Sequence, residues 1–209
     1  MAATDTDIDT TRRALNFLSV QETQELGESG VAVADPHSTL ISPTVEIGER
    51  TVIWPGVTVQ CVDGKGSISI APGAILFSGT RIVVSDGGTV EIGACAEIGE
   101  EGGFTLKAEA GVAITIGGGA RLLGGGSLTS SNDIGPGAQI LGPIRAQDCT
   151  LEGGETYCGS DPNRRGAVLK GCGVARTLTL AQGEVIQAFG LFAEADVRQQ
   201  SFFHPPQSR

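Results

Sequence analysis

The chain has 209 residues and a mass of 21.3 kDa, room for one domain with a real core and too little for two ordinary ones. Glycine fills 32 positions, about twice its usual share, while aromatic residues make up 4% and charged residues 18%, so a large aromatic-lined interior is excluded and small and β-branched side chains must build the core. The formal net charge of -10 repels phosphate backbones and anionic lipid, so neither nucleic acid nor a membrane surface is an expected partner.

No apolar run approaches the roughly eighteen residues that span a bilayer, and Met1 to Thr11 is acidic and polar with no apolar signal region. A cytoplasmic protein is expected. Cys61, Cys95, Cys149, Cys158 and Cys172 are odd in number and form no C-x-x-C pair, which points to reduced, small and mostly buried side chains rather than a disulfide framework.

Residues 1–37 read as an N-terminal helix and linker. Asp and Thr precede Leu15, Leu18 and Leu26 at helix-compatible spacing and Gly27 follows as a terminator, so a single amphipathic helix is predicted over 9–26.

Residues 38–151 carry an internal period. Ile41, Ile47, Ile53 and Val59 fall six apart; the register returns at Ile70, Leu76 and Ile82, at Ile92 and Ile98, at Ile116, Leu122 and Leu128, and at Ile134 and Ile140. Small residues such as Ala74, Ala96, Ala120 and Ala138 lie four positions after the first aliphatic of each motif. A six-residue step fits neither helix nor hairpin, but it fits short strands separated by sharp corners. Three such sides close one triangular coil, with the aliphatic residues inside and the small ones at corners.

The spacing of the motifs is uneven. From Ile47 to Ile70, Ile70 to Ile92 and Ile92 to Ile116 the step exceeds three hexads by a few residues, and from Ile116 to Ile134 it equals three hexads. The surplus is assigned to Gly-rich loops at Asp63–Gly66, Ser85–Gly88 and Glu100–Gly103 that step off the prism. The alternative is a wider coil of about 22 residues throughout. Residues 152–209 lose the hexads and are expected to form an irregular C-terminal extension. Its Phe202-Phe203-His204 end is expected to lie over the β-helix or on a neighbouring subunit, because exposed adjacent Phe side chains are costly.

The run from Gly30 to Val57, with Asp35-Pro36, Trp54 and Pro55-Gly56, resembles the linker and opening coils of the acetyltransferase domain of the bifunctional N-acetylglucosamine-1-phosphate uridyltransferase / glucosamine-1-phosphate acetyltransferase family. The looser hexapeptide-repeat resemblance extends to about residue 151. It implies an all-β fold, a left-handed parallel β-helix, whose handedness runs against the usual crossover rule. It also implies a homotrimer with acyl-CoA or sugar-nucleotide clefts between adjacent prisms. The uridyltransferase half is missing, and no residue matches that family's basic and asparagine-containing acetyltransferase site.

The chemistry must come from other residues. Acyl transfer from a thioester to an amine needs a group that takes the amine proton, and His37 and His204 are the chain's two histidines. His37 sits at the first corner as a surface or capping residue. His204 is the candidate catalytic base. Catalytic zinc prefers three imidazoles, so no metal is expected; a thiolate pair of Cys158 and Cys172 is the weaker option. Arg164, Arg165 and Lys170 concentrate cations beside glycines in an otherwise acidic chain, a candidate site for the pyrophosphate of acyl-CoA or a nucleotide sugar. Ser130 to Asp133 reads as a corner, with Asn132 satisfying backbone groups. The expectation is an acyl-CoA-dependent acyltransferase acting on an amino sugar or similar amine. Its rival is a non-catalytic binding or scaffold module, since a stacked prism needs no active site to persist.

Overall fold

The computed structural model describes residues 3–204; the first two residues of the N-terminal segment and the last five of the C-terminal extension lie outside the described residues. Short parallel strands wind into a three-sided prism. Face I is built from Ala32–Val33, Val52–Ile53, Ile75–Leu76, Glu97–Ile98, Arg121–Leu123 and Gln139–Leu141. Face II follows from Leu40–Ile41, Thr58–Cys61, Arg81–Val84, Thr105–Ala108, Ser127–Thr129 and Ile144–Gln147. Face III takes Glu46–Ile47, Ser67–Ile70, Thr89–Ile92, Ala113–Ile116, Asn132–Ile134, Thr150–Leu151 and Thr179–Leu180. Each strand pairs with the one a full coil later, and Leu40 opposite Thr58 and Arg121 opposite Gln139 show that the basic step is three hexads.

The six-residue period does what its spacing requires. Ile53, Leu76, Ile98, Leu122, Ile140 and Leu169 stack along face I, and Ile41, Val59, Ile82, Leu106 and Leu128 along face II, all fully or almost fully buried. Ala74, Ala96, Ala120, Ala138 and Ala167 fill one corner at 0% exposure. Burial of these columns is the main stabilising term, because each chain turn presents one side chain per face to the same interior.

At Glu100–Gly103 the surplus does form an exposed corner turn, since Ile98 and Thr105 pair with Leu122 and Ser127, but at Asp63–Gly66 and Ser85–Gly88 it does not step off the prism as an independent loop. In the wide coils the strands flanking one corner lengthen, so that Cys61 pairs with Val84, and Ile68 with Val90. Cys61, Val84, Ala108, Ile68, Val90 and Ile114 thereby add further buried columns. The corner turns stack as well, Asp63 accepting the Asp86 amide at 3.0 Å and Gly88 O accepting the Ser67 amide at 3.1 Å. At this corner the extra residues widen the core instead of decorating it. A corresponding widening at Glu109–Val112, where Val112 O accepts the Thr89 amide at 3.0 Å, carries no motif that marks it in the sequence.

The chain beyond Leu151 also continues the prism. Val168–Arg176 pairs with face I through Val168 opposite Gln139, bends, and pairs with face II through Val174 opposite Arg145. Glu184–Leu191 adds a last rung, and Val197–Gln199 returns antiparallel along it. Phe192 closes that end at 0% exposure. The hexad pattern hides these rungs because the loop from 152 to 167 lengthens one coil step, the one that runs from Gln139 to Val168.

At the opposite end, the single predicted helix is two, α1 (Ala3–Ala14) and α2 (Val20–Glu25). The break buries Phe17 to 5% exposure between the helix and the outward side of Leu40, packs Leu18 against the core and lets the Leu18 amide donate to Ile41 O at 2.9 Å. Asn16 turns the chain through φ 62, a conformation that asparagine adopts more readily than most residues. Ser19 and Glu22 then form a reciprocal capping box. The terminator is Gly30, in the left-handed region at φ 77, not Gly27. Arg12, 4% exposed, donates to the carbonyls of Leu18 (2.8 Å), Pro36 (3.0 Å) and Thr39 and to the Thr23 hydroxyl. It satisfies carbonyls at the open end of the sheet, where no further rung supplies N–H donors.

Candidate functional site

Three of the four residues singled out by sequence meet at one place. A groove of about 290 Å³ lies on the outer surface of face I near its C-terminal end, and Arg165, Lys170 and His204 line it. Coil closure aligns the floor: Arg121, Gln139, Val168 and Val185 fall in one register row, and Leu141 and Lys170 in the next but one. Outward positions alternate with the buried Leu122, Ile140 and Leu169, as the pleat requires. The long 152–167 loop supplies Tyr157 and Arg165, and the C-terminal segment supplies Gln200, Phe203 and His204.

The walls are anchored separately. Arg165 donates through Nε and Nη2 to Gly159 O at 2.8 and 2.6 Å, which fixes the loop. The buried Gln200 side chain donates to Gly166 O at 2.7 Å, and the Ser201 amide to Asn163 Oδ1 at 3.0 Å. These bonds hold the C-terminal segment against the loop. Phe203 is half-buried, while Phe202 remains 62% exposed and packs edge-on against Phe203 with centroids 5.0 Å apart.

Charge in the groove is graded. Arg121 is neutralised by Glu97 at 2.9 Å and Glu100 at 3.4 Å, and its guanidinium sits 4.1 Å from the centre of the Tyr157 ring, a cation–π contact. The Tyr157 phenol is pushed above its ordinary value, first by its hydrogen bond with the Cys158 thiol and then by the negative charges of Cys158 and Glu97, with Arg121 acting in the opposite sense. Lys170 is exposed and forms no ion pair with any described residue. Lys170 and Arg165 are therefore the positive charges that an incoming anion meets.

Arg164 does not join them. It points away and pairs with Glu155 at 3.0 Å, 69% exposed, because adjacent residues in the short turn Pro162–Arg164 and the extended Arg165 direct their side chains apart. His204 is exposed, and its backbone amide is held by Gln200 O at 3.2 Å.

The sequence reading missed Arg121, Gln139, Tyr157 and Gln200. Gln139 is the most informative of them. It is 6% exposed on the groove floor, and its amide group makes no hydrogen bond with any described residue. Its amide atoms open onto the groove, since Thr39 Oγ1 is the one fully buried side-chain polar atom without a partner among the described residues, so water or a ligand can satisfy them. The available signal was the polar pair Arg121 and Gln139, three hexads apart at equivalent outward positions.

The other sequence candidates lie elsewhere. His37 is exposed near the N-terminal end, its amide donating to Asp35 at 3.0 Å. Asn132 is buried and bonds Thr129 O, Ser130 O and the Cys149 amide, the corner role assigned to it. Cysteine burial is mixed: Cys61 and Cys149 are buried, whereas Cys95 and Cys158 are exposed. Among the described residues, no group of three or more His, Cys, Asp or Glu side chains gathers at metal-binding distance. No helix among them is long and apolar enough to cross a membrane.

These features define a parallel β-helix with a cationic groove built from one face, one loop and the C-terminal segment. No protein-family model matches the chain, and no curated protein matches it.

Proposed function

We propose that the groove binds an acyl-CoA and that the protein transfers its acyl group to an amino sugar or a similar small amine, with the chain assembled as a homotrimer. The observation that carries this reading is the convergence of Arg165, Lys170 and His204, from three separate segments, around an apolar floor with an unpartnered amide. Arg165 and Lys170 hold the phosphates. Leu141, Val168 and Val185 cover the aliphatic portion, and the Gln139 amide bonds one of its amide groups. As the amine nitrogen attacks the thioester carbonyl, the His204 imidazole accepts the amine proton. The CoA thiolate leaves and is protonated on release. Placement of the two reactants supplies much of the rate.

The test is calorimetric titration with acetyl-CoA, followed by transfer assays on a panel of amino sugars. Lys170→Ala weakens binding about tenfold, the loss of one charge-assisted contact. His204→Ala lowers turnover about a hundredfold and leaves binding within twofold. No heat and no thermal stabilisation at millimolar acetyl-CoA overturns the proposal. Light scattering tests the trimer.

One observation favours a second reading, a binding module without catalysis: the His204 imidazole bonds no described group that would fix its tautomer or orientation. Acetyl-CoA binding with no turnover on any amine identifies that case.

A further inference from the structure

The outward surfaces of the prism are sorted by charge. The strands of face III contain Glu46, Glu91 and Asp133 and no basic residue. Those of face II, continued by the second half of Val168–Arg176, contain Arg81, Lys107, Arg145 and Arg176 and no acidic residue. In a chain of net charge -10 with 14 basic residues, strands that carry four cations and no carboxylate are not the average surface.

This face also carries a shallow, open groove of about 810 Å³, lined by Lys107, Thr129, Arg145 and Gln147, with Thr105 and Ser127 between them. It follows four successive rungs, Thr105, Ser127, Arg145 and Val174, and so extends about 14 Å along the prism at the usual strand spacing. Arg176 donates to Gln147 Oε1 at 2.7 Å, and Gln147 Nε2 donates to Thr129 Oγ1 at 3.0 Å. This ladder crosses three rungs and leaves the Thr129 hydroxyl hydrogen available to a ligand. Lys107 is held by Glu109 at 2.6 Å at the corner. Arg81 and Arg145 are exposed and form no ion pair with any described residue.

We infer that face II is a binding site for an extended anionic glycan, a chain of hydroxyl-bearing rings with carboxylates along it. Arg145, Arg81 and Arg176 present guanidinium groups for carboxylates, and the Thr and Gln side chains between them suit ring hydroxyls. The alternation of cation and hydroxyl argues against other polyanions. The face strands carry no aromatic side chain on which nucleobases stack. Their backbone groups are already paired within the sheet, so an acidic peptide gains no strand-addition hydrogen bonds. Because the molecule as a whole repels anions, binding is local and depends on these residues. The inference is independent of the face I groove.

The test is calorimetric titration of the full chain with an oligogalacturonate, its methyl-esterified counterpart and polyphosphate of matched charge. Arg145→Glu and Arg176→Glu are compared with Arg50→Glu, which changes net charge equally on a corner turn away from this face. The oligogalacturonate binds with an affinity that falls with added salt. Either face substitution weakens it about tenfold or more, Arg50→Glu stays within twofold, and the esterified chain binds at least tenfold more weakly. Failure of the oligogalacturonate to bind overturns the inference. Equal losses in all three variants, or equal affinity for polyphosphate, reduces it to non-specific charge and overturns it too. A particle mass in light scattering that Arg145→Glu lowers would place a second copy of the chain on this face instead. All variants must retain the wild-type melting temperature within a few degrees; if Arg145→Glu does not, Arg176→Glu carries the comparison.

Discussion

The N-terminal cap depends on Arg12, and replacing it tests whether the open end of a β-helix is held by hydrogen bonds or by packing. Arg12→Ala removes the donors of the Leu18, Pro36 and Thr39 carbonyls and of the Thr23 hydroxyl. Each carbonyl left unsatisfied in a buried site costs about 1–3 kcal/mol. Against this, burial pushes the Arg12 guanidinium below its ordinary value, with Asp9 pulling it back, so holding the charge there is itself unfavourable and removing it recovers part of the loss. Three carbonyls at the lower end of the range give a net loss of about 3 kcal/mol. Arg12→Met keeps most of the aliphatic stem and loses the same donors, so it falls within about 1 kcal/mol of the alanine variant if hydrogen bonding is the cause. Equilibrium urea unfolding measures the loss, and hydrogen exchange locates it. Contacts in a stacked prism are nearest-neighbour, so protection drops first at the rungs around Leu40 to Cys61 and persists near Ile134 to Leu151. An Arg12→Ala protein whose stability stays within about 0.5 kcal/mol of wild type, less than one unsatisfied carbonyl costs, would refute the reasoning.

Two further outcomes follow from the interior and from the carboxylates. Phe104 is buried under Gly126, where a Cβ would lie 2.6 Å from Ile144 O and 2.7 Å from the Phe104 ring. Gly126→Ala therefore destabilises by about 1–3 kcal/mol, and Phe104→Leu in the same chain recovers only part, because the Ile144 carbonyl contact remains; thermal melts of the single and double variants check this. Glu22 is held below the usual carboxylate range by hydrogen bonds from Ser19, and Asp63 by those from the Lys65 and Asp86 amides. A depressed folded-state value means that their stabilisation is complete above the unfolded value near pH 4 and is lost as pH falls through the folded values. Melting temperature accordingly drops as the pH is taken from about 4 towards about 2, and Asp63→Asn flattens that slope; equal slopes for the two proteins would contradict the assignment.

The period of six was the legible part of this protein. Ile53, Leu76 and Ile98 must share one side of a coil whenever three short strands make a turn, so the buried columns follow from spacing alone. The corner alanines follow too, because small side chains there are what a tight prism demands. The N-terminal break was less visible: Leu15 and Leu18 fit a continuous helix, and only the need to pack Leu18 against the core, pair its amide with Ile41 and satisfy nearby carbonyls through Arg12 explains two helices. The same limit hid the last rungs, since the 152–167 loop interrupts the count before Val168 resumes pairing.

For the site, cation type and local clustering pointed to Arg165, Lys170 and His204, whereas Arg164 was equally eligible by sequence and turns to Glu155. Arg121 and Gln139 belong beside Lys170 because successive coils of unequal length close onto one another, Arg121 against Gln139 and Leu141 against Lys170. His204 reaches them because Gln200 bonds the carbonyl of Gly166, far back along the chain. Sequence by itself determined which side chains face inward, because alternation along a strand is local. Which outward side chains share a groove was decided only by coil lengths and long-range anchors, and those depend on how the whole chain closes.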